Sequence, residues 1–494
     1  MASTSTPLAL IATVLRAAGL LEEIHGQEDV SVFGSSQDSR FVKAGDLFLA
    51  WQGCEFDAHD FVIHAAQSGA VAAVVERHVP GTKITQIQVS DGRRAAALAA
   101  DVIIKSPWQN MFTVGITGTN GKTTTAFITR HLLGDYGSAA AIGTLGLIET
   151  DGTVRTGTDA LTTPGPVQLS SWLDQLLRQG VDSVTVEASS HALAQKRLDG
   201  MRFDAVVFTN LYQDHLDYHR DMTSYLDAKS HLLDLVKEDG LTVINAGVDK
   251  WKSLPLEGRR TLTYGLNDNA DLRAEDIKHE PYGTRFRIAM EDEDFEVKLP
   301  LLGNFNVENS LAAVGAGTAA GISIETIAER LETVPQVPGR LEIVVRDPFA
   351  ILIDFAHTAE ALREVLATLR PLVPGRLIVV FGAGGDRDRG KRKEMGIAVS
   401  QGADLAIVTS DNPRTEDPES IIDDVVVGMT DTSYERQGDR RKAITMAITT
   451  ARAGDLVLLA GKGHESRQVI GTESFPFDER LIVHESLVEL GGRA

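Results

Sequence analysis

Short runs of β-branched and aliphatic residues recur along the chain, each closed by glycine or polar residues and followed by a stretch of helical periodicity. Leu8 to Val14, inside the segment Met1 to Leu21, predicts a helix. Asp46-Leu-Phe-Leu-Ala50 predicts a strand and Phe61 to Gly69 a short helix. The clearest alternation begins at Phe112-Thr-Val-Gly-Ile116, an apolar strand that runs into a Gly-rich turn and then into a helix predicted over Thr123 to Leu133. Strands follow at Ser183 to Glu187, Ala205 to Thr209 and Leu241 to Asn245, with a helix predicted over Ser224 to Val236. The Pro- and Gly-bearing segment Val334-Pro-Gln-Val-Pro-Gly-Arg340 interrupts the pattern. It resumes with strands at Ile351 to Asp354, Arg376 to Phe381, Asp404 to Thr409 and Asp455 to Ala460. Strand and helix in this order predict an α/β fold of mostly parallel sheets covered by helices. The interruptions divide it into three domains, 1–109, 110–338 and 339–494. The last reads as a doubly wound domain, with ligands expected at the carboxyl ends of its strands.

Composition narrows the class. The 494 residues are 43% apolar and 24% charged, as in an ordinary globular chain. A net charge of −21 opposes binding of a polyanion across a broad face, so no nucleic-acid partner is expected. Anionic substrates must then be captured by local basic groups and backbone amides. The one cysteine, Cys54, cannot form an internal disulfide. No run approaches the roughly 20 apolar residues of a membrane span, and the N-terminal apolar run has no basic region before it. A cytoplasmic location without membrane insertion is the expectation.

Thr117-Gly-Thr-Asn-Gly-Lys-Thr-Thr124 carries the most chemistry, because it stands where a buried strand turns into a helix. Small residues let backbone amides close around phosphate oxygens, and the helix N-terminus adds partial positive charge. Lys122 adds a full charge, and the Thr123 hydroxyl can reach Mg2+. Position 116 is Ile, so the strict spacing of two glycines separated by four residues is not met. Glu187 closes a predicted strand, His215 lies in a polar loop after another, and Lys229 lies in a helix. Strand ends of a parallel sheet converge, so the three can line one crevice, with the carboxylate and imidazole as ligands for a divalent cation.

The loop Thr117 to Thr124 resembles the ATP loop of the Mur ligases and of their relatives, the folylpolyglutamate synthetases. The resemblance continues through Glu187-Ala-Ser-Ser-His-Ala-Leu-Ala-Gln-Lys-Arg197, Thr209-Asn-Leu-Tyr-Gln-Asp-His-Leu-Asp-Tyr-His219 and Tyr225-Leu-Asp-Ala-Lys229. It extends through Gly382-Ala-Gly-Gly-Asp-Arg-Asp388, Asp411-Asn-Pro-Arg414 and Gly461-Lys-Gly-His-Glu465, and reaches Asp38-Ser-Arg40 and Gly45-Asp46 near the start. It implies an N-terminal UDP-sugar-binding domain, a central P-loop-type ATPase domain and a C-terminal Rossmann-like domain that binds an amino acid.

What the resemblance implies for single residues is specific. ATP is expected on Gly118, Thr119, Asn120, Gly121, Lys122, Thr123 and Thr124, on Asn306 and Asn309 for the adenine, and on Arg340, Asp354 and His357 from the third domain. Lys122, Glu187, His215 and Lys229 are the expected catalytic set. Two Mg2+ ions are expected, with Thr123, Glu187, His215 and Lys229 around them. Lys229 is expected as a carbamate formed with CO2, which turns a repelling ammonium into an anion. The nucleotide-sugar dipeptide UDP-MurNAc-L-Ala-D-Glu is expected on Thr162, Thr163, Ser189, Gln195 and Arg197, with Ser39 and Cys54, Glu55 and Phe56 at the uridine end. Phe355 and Ala359 depart from the family's usual Tyr and Pro, and Gly247-Val248 stands where a pair of acids is common. Ala383, Lys393 and Arg467 depart similarly from Cys, Pro and Tyr.

The incoming amino acid implied by the Asp-Asn-Pro-Arg pattern is meso-diaminopimelate, whose far end carries a carboxylate and an ammonium. An Arg fork suits the first and a carboxylate the second. Arg387, Asp411, Asn412, Pro413, Arg414 and Gly461 would surround the acid, and Glu465 the amine. L-Lysine would leave Arg414 without an anion, at a cost on the order of 1–3 kcal/mol. The implied reaction is ATP-driven amide formation through an acyl phosphate, by a monomer, with the segment before Arg340 as a hinge. Three rivals remain at this point: the same ligase using L-lysine, folylpolyglutamate synthesis, and a catalytically silent nucleotide-binding partner of a cell-wall complex.

Overall fold

The computed structural model describes residues 5–491 apart from 54–55, 135–136, 158–160, 268, 292 and 431. Two compact units make up the chain. The first comprises Met1–Ala274, Ala289–Glu293 and Glu308–Arg330, the second Glu275–Ile288, Asp294–Val307 and Leu331–Ala494.

The first unit opens with a helix, Leu8–Ala17, and a five-stranded sheet in the order Leu21–His25, Thr85–Val89, Ala72–Val75, Asp46–Leu49, Gly34–Ser36. Its larger sheet runs Val154–Arg155, Gly146–Ile148, Ala139–Gly143, Ser183–Glu187, Phe112–Thr117, Phe203–Phe208, Val236–Asn245, Arg260–Gly265. The pairs from Ala139–Gly143 to Arg260–Gly265 are all parallel. Strands buried on both faces need apolar side chains at successive positions. Val184, Val186, Val206 and Val207 are accordingly inaccessible to solvent.

The expected strands at 112–116, 183–187 and 205–209 thus fall at the centre of this sheet, and the helix expected from Thr123 is Lys122–Leu133. The helix expected over Ser224 to Val236 is shorter. It runs Met222–Ser230, gives way to a 3-10 turn at His231–Leu235, and the chain enters a strand at Val236. Leu232, Leu233 and Leu235 are all buried. A regular helix would point them in three directions, whereas the tighter turn sends all three into the core.

In the second unit a six-stranded sheet has the order Glu342–Val345, Ala350–Asp354, Leu456–Ala460, Leu377–Phe381, Leu405–Val408, Ser433–Arg436. Only Glu342–Val345 is antiparallel to its neighbour. Asp354, Phe381, Val408 and Ala460 end parallel strands, so the loops that follow them gather at one edge. A buried ion pair, Arg440 Nε to Glu479 Oε1 at 2.8 Å, joins the helices Arg440–Thr450 and Glu479–Gly491, and Arg440 Nη2 donates to Ala460 O at 2.9 Å. Among the described residues no helix is long and apolar enough to cross a membrane.

Candidate active site

The loop between Thr117 and Lys122 is shaped by two glycines in left-handed or extended-positive backbone. Gly118 has φ 149° and Gly121 φ 84°. A Cβ on Gly118 would lie 1.8 Å from Thr209 Oγ1, and one on Gly121 would lie 2.3 Å from Asn309 Oδ1. The loop is propped from the next strand end: Thr119 N donates to Asn210 O (2.8 Å), Asn120 N to Asn210 Oδ1 (2.8 Å), and Thr209 Oγ1 to Asn120 O (2.7 Å). The amides of Thr119 and Asn120 are therefore engaged within the protein. The first amides of the helix have no intrahelical acceptor, and that end of a helix suits an anion.

Two lysines converge on one carbonyl. Lys122 Nζ donates to Gly118 O and Thr119 O, both at 2.8 Å, and Lys229 Nζ donates to Gly118 O at 2.7 Å. Lys229 is buried, with its ammonium 4.5 Å from the centre of the Tyr225 ring. Burial, then the charge on Lys122, hold its pKa well below the ordinary lysine value against the pull of Asp214. Such a setting favours the uncharged amine, the form that acts as a nucleophile.

Glu187, at the end of its strand, is held by oxygen and nitrogen donors from two segments. Thr123 Oγ1 donates to Oε2 (3.0 Å), Thr144 Oγ1 to Oε2 (3.0 Å), and Thr144 N to Oε1 (2.9 Å). Gly143 makes room for the carboxylate, since a Cβ there would lie 2.0 Å from Oε1. Thr163 Oγ1 donates to the Glu187 carbonyl at 2.6 Å, Ser189 N donates to Thr163 Oγ1 at 3.0 Å, and Thr144 Oγ1 reaches Thr162 Oγ1 at 3.3 Å. Arg197 Nη1 donates to Thr163 O (2.8 Å) and its Nη2 to Gln195 Oε1 (2.7 Å). Thr162, Thr163, Ser189, Gln195 and Arg197 thus form one connected network beside Glu187.

His215 has φ 52° and leads into the short helix Leu216–His219. Its ring meets His191 edge-on at 4.8 Å, and His191 in turn lies 4.2 Å from Tyr218 and 5.4 Å from His219. Partial burial lowers the His215 pKa, with Lys122 and Lys229 adding to the effect. Burial and the neighbouring imidazoles push His191 down to about 4. Neutral imidazoles keep the lone pair that a metal requires. A hard divalent cation prefers oxygen donors; the Glu187 carboxylate with the Thr123 and Thr144 hydroxyls on it fits Mg2+. Among the described residues no group of three or more His, Cys, Asp or Glu side chains is arranged to hold a metal. Glu187 and His215 are the only members of the expected set of those types.

Asn309 lies in the helix Asn304–Ala319, and Thr125 Oγ1 donates to its Oδ1 at 3.3 Å. Asn306 Nδ2 donates to Leu302 O at 2.9 Å. Of the residues expected at a uridine end, Ser39 is buried in a 3-10 turn capped by Asp38, and the Phe56 side chain is exposed. Cys54 and Glu55 lie outside the described residues.

The second unit gathers the remaining candidates. Asp354 is buried and accepts from Leu341 N and Ala356 N, both at 2.7 Å; burial raises its pKa, opposed by those bonds and by Arg340. The Arg340 guanidinium lies 4.7 Å from the Phe355 ring centre, and His357 Nδ1 bonds to Phe355 O at 2.9 Å. Phe355 therefore serves as a stacking platform that a Tyr would also provide.

Arg414, with φ 51°, donates through Nη1 to Gly385 O (2.8 Å) and Asn412 O (3.4 Å). A Cβ on Gly384 would sit 3.1 Å from Arg414 Nη1 and 3.8 Å from Arg387 Cγ. Asn412 Nδ2 donates to Glu465 Oε2 at 2.9 Å. Asp411 is buried, and a Cβ on Gly461 would lie 2.8 Å from its Oδ2; Pro413 O packs 1.9 Å from where a Gly385 Cβ would be. The structure thus brings Arg387, Asn412, Arg414, Gly461 and Glu465 to one loop edge. Thr144, Gly143, His191 and Lys462 were missed by sequence reasoning. Gly143-Thr144 offers only the signal of a glycine at a strand end, and Lys462 stands inside a segment already singled out.

With this geometry in place, the comparisons are direct. The model of the Mur ligase middle domain matches residues 116–317, that of the Mur ligase glutamate ligase domain residues 339–463, and that of the Mur ligase family catalytic domain residues 34–104. The chain belongs to the Mur ligase family. It is 42% identical to the UDP-N-acetylmuramoyl-L-alanyl-D-glutamate--2,6-diaminopimelate ligase of Trichormus variabilis, over 93% of this chain and 95% of that one. It is 39% identical to the protein of the same name from Caldanaerobacter subterraneus, over 95% and 98%. A solved structure of a UDP-N-acetylmuramoyl-L-alanyl-D-glutamate--2,6-diaminopimelate ligase matches with a TM-score of 0.71 at 32% identity, covering 99% of this chain and all of the other. A MurF ligase from Thermotoga maritima in complex with ADP shares the fold, with a TM-score of 0.64 at 20% identity over 93% of this chain and 98% of that one.

Proposed function

We propose that the chain is an ATP-dependent, ADP-forming ligase that joins meso-diaminopimelate to the D-glutamyl γ-carboxylate of UDP-MurNAc-L-Ala-D-Glu in peptidoglycan precursor synthesis. The observation that carries the choice of amino acid is the grouping of a guanidinium (Arg414), an amide (Asn412) and a carboxylate (Glu465) at one loop edge. That set complements a side chain ending in a carboxylate and an ammonium. The near-full-length identity to diaminopimelate ligases supports the same reading. It speaks against folylpolyglutamate synthesis, and the presence of Lys122, Glu187 and Lys229 speaks against a silent partner.

A carboxylate is a poor electrophile and must first gain a leaving group. The γ-carboxylate attacks the terminal phosphorus of ATP, ADP leaves, and the amine then displaces phosphate from the acyl phosphate. No side chain needs to become a covalent nucleophile. Lys122 and the amides at the start of the helix Lys122–Leu133 hold the phosphates and offset the charge that develops. Mg2+, held by Thr123, Glu187 and His215, supplies further neutralisation when bound. Arg197, Gln195, Ser189, Thr162 and Thr163 hold the nucleotide-sugar peptide; Arg340, Asp354 and His357 are assigned to the nucleotide, and Asn306 and Asn309 to its adenine.

Lys229 reacts as the uncharged amine with CO2 to give a carbamate and a proton, placing an anion beside Lys122 that would support a second Mg2+. The three-part division at 1–109, 110–338 and 339–494 is supported by the sheets, whose strands fall at 21–89, 112–299 and 342–460. The enzyme acts as a monomer in the cytoplasm.

Purified protein assayed with ATP, the dipeptide precursor and each amino acid separately tests the reading. Turnover with meso-diaminopimelate well above that with L-lysine is expected, and the reverse order would refute the substrate choice.

A further inference from the structure

Lys462 is fully buried, an expensive place for an ammonium unless it is partnered. Its Nζ donates to Asn412 Oδ1 at 3.2 Å and to Glu465 Oε2 at 3.1 Å. The Phe477 ring centre lies 5.8 Å away. Asn412 Oδ1 also accepts from Val469 N at 2.9 Å, and Asn412 Nδ2 donates to Glu465 Oε2 at 2.9 Å.

These contacts decide which way the amide faces. An asparagine side chain presents an acceptor on one side and two donors on the other. Two donors, Lys462 and the Val469 amide, point at Oδ1, so turning the amide over would set N–H against N–H. With Nδ2 fixed, one of its hydrogens is on Glu465 and the second remains for a ligand. Glu465 is split in the same way. Its Oε2 takes both donors, its Oε1 has no hydrogen-bond partner among the described residues, and the side chain is about one-third exposed.

We propose that Lys462 is a positioning residue that sets the polarity of the amino-acid site. It fixes Asn412 as a donor toward the far carboxylate of the substrate and Glu465 Oε1 as an acceptor toward the far ammonium. The inference rests on the reading that this site takes meso-diaminopimelate. L-Lysine has no far carboxylate for the fixed donor to meet, so Lys462 contributes to discrimination as well as to affinity.

Lys462→Met keeps the length and loses the charge and the donors. Measured by steady-state kinetics on the full-length protein, its KM for meso-diaminopimelate rises on the order of ten-fold or more, the loss expected for hydrogen bonds between charged groups. The KM values for ATP and for the nucleotide-sugar peptide stay within about two-fold, a split that general loosening of the fold would not produce. The preference for diaminopimelate over L-lysine falls in parallel. In a Glu465→Gln background the effect of Lys462→Met shrinks, because the two act as one unit. An unchanged KM for diaminopimelate, or an equal rise in all three KM values, overturns the inference. If Lys462→Met is not recovered folded, Lys462→Gln, which keeps a donor without the charge, is held to the same criteria. A wild-type enzyme that turns over no diaminopimelate overturns the substrate reading and this inference with it. A diaminopimelate-dependent wild type whose variant keeps its KM overturns the positioning role alone.

Discussion

Gly143→Ala adds one methyl group to a residue that carries no chemistry, yet it is expected to disable the phosphoryl-transfer site. The added Cβ would lie 2.0 Å from Glu187 Oε1 and 2.4 Å from Cδ, far inside contact distance. Gly143 does not occupy the left-handed region, so alanine brings no backbone strain there, and the nearest atoms the methyl would strike all belong to the Glu187 side chain. Glu187 is buried and has little room, so its head must leave the bonds from Thr123 Oγ1, Thr144 Oγ1 and Thr144 N. Hydrogen bonds to a charged group are worth about 1.5–3 kcal/mol each. Losing two of the three therefore misplaces the carboxylate by about 3–6 kcal/mol, which corresponds to a factor on the order of 10² to 10⁴. The assay is phosphate release with saturating dipeptide precursor and amino acid while ATP is varied, run beside thermal unfolding. The expected outcome is a loss of at least about a hundred-fold in kcat/KM for ATP. Activity of Gly143→Ala within about two-fold of wild type would refute the argument that this glycine is required by Glu187.

Two further outcomes are expected. If Lys229 acts as a carbamate, stripping CO2 from the buffer lowers the ligation rate and bicarbonate restores it, whereas Lys229→Ala is inactive and indifferent to bicarbonate. Full activity of Lys229→Ala removes the role. Asp101 accepts from Ser106 Oγ (2.6 Å) and Trp108 Nε1 (3.0 Å), and burial raises its pKa from 3.8 to about 6. The folded state then holds a proton that the unfolded chain has released, so this group's contribution is fully present below about pH 4 and is lost as pH rises through 6. That change amounts to about 3 kcal/mol. The stability of Asp101→Asn relative to wild type, measured by denaturant unfolding, is expected to rise by up to that amount between pH 4 and 7, and a flat difference contradicts it.

The parts legible in the sequence are those where one local rule suffices. A run of apolar β-branched residues is a buried parallel strand, so the strands expected at 112–116, 183–187 and 205–209 were readable to within two residues of their observed bounds, as was the helix that follows the phosphate loop. The strands Gly283–Met290 and Glu293–Leu299 were not. Their charged residues pair across an exposed surface, as Arg287 does with Glu275, Asp276 and Asp294, and such alternation resembles loop composition. In the site, side chains that carry chemistry themselves were visible, among them Lys122, Glu187 and Arg414. Those that act by supporting others were not. Thr144 matters because it reaches Glu187, Gly143 because it leaves space, and Lys462 because it orients Asn412. Each of these depends on a contact across at least two elements, and nothing in a single stretch of sequence reports it.

The charge balance acquires a physical basis from the same contacts. A chain with a net charge of −21 has ample carboxylates to quench every arginine and lysine, and where cations serve the scaffold it uses them: Arg287, Arg392 and Arg440 all pair with acids. Several hydrogen bonds at the candidate site cations run to neutral oxygens. Lys122 binds the Gly118 and Thr119 carbonyls, Arg414 the Gly385 and Asn412 carbonyls, and Arg197 the Thr163 carbonyl and the Gln195 amide. A carbonyl dipole fixes the side chain without cancelling its charge, whereas a carboxylate would do both. A charge held by such a bond can still act on a phosphate or a substrate carboxylate, and the surrounding negative field falls off within about a Debye length, roughly 8–10 Å in physiological salt. A small number of carbonyl-held cations can therefore present anion sites on a protein whose overall field opposes anions.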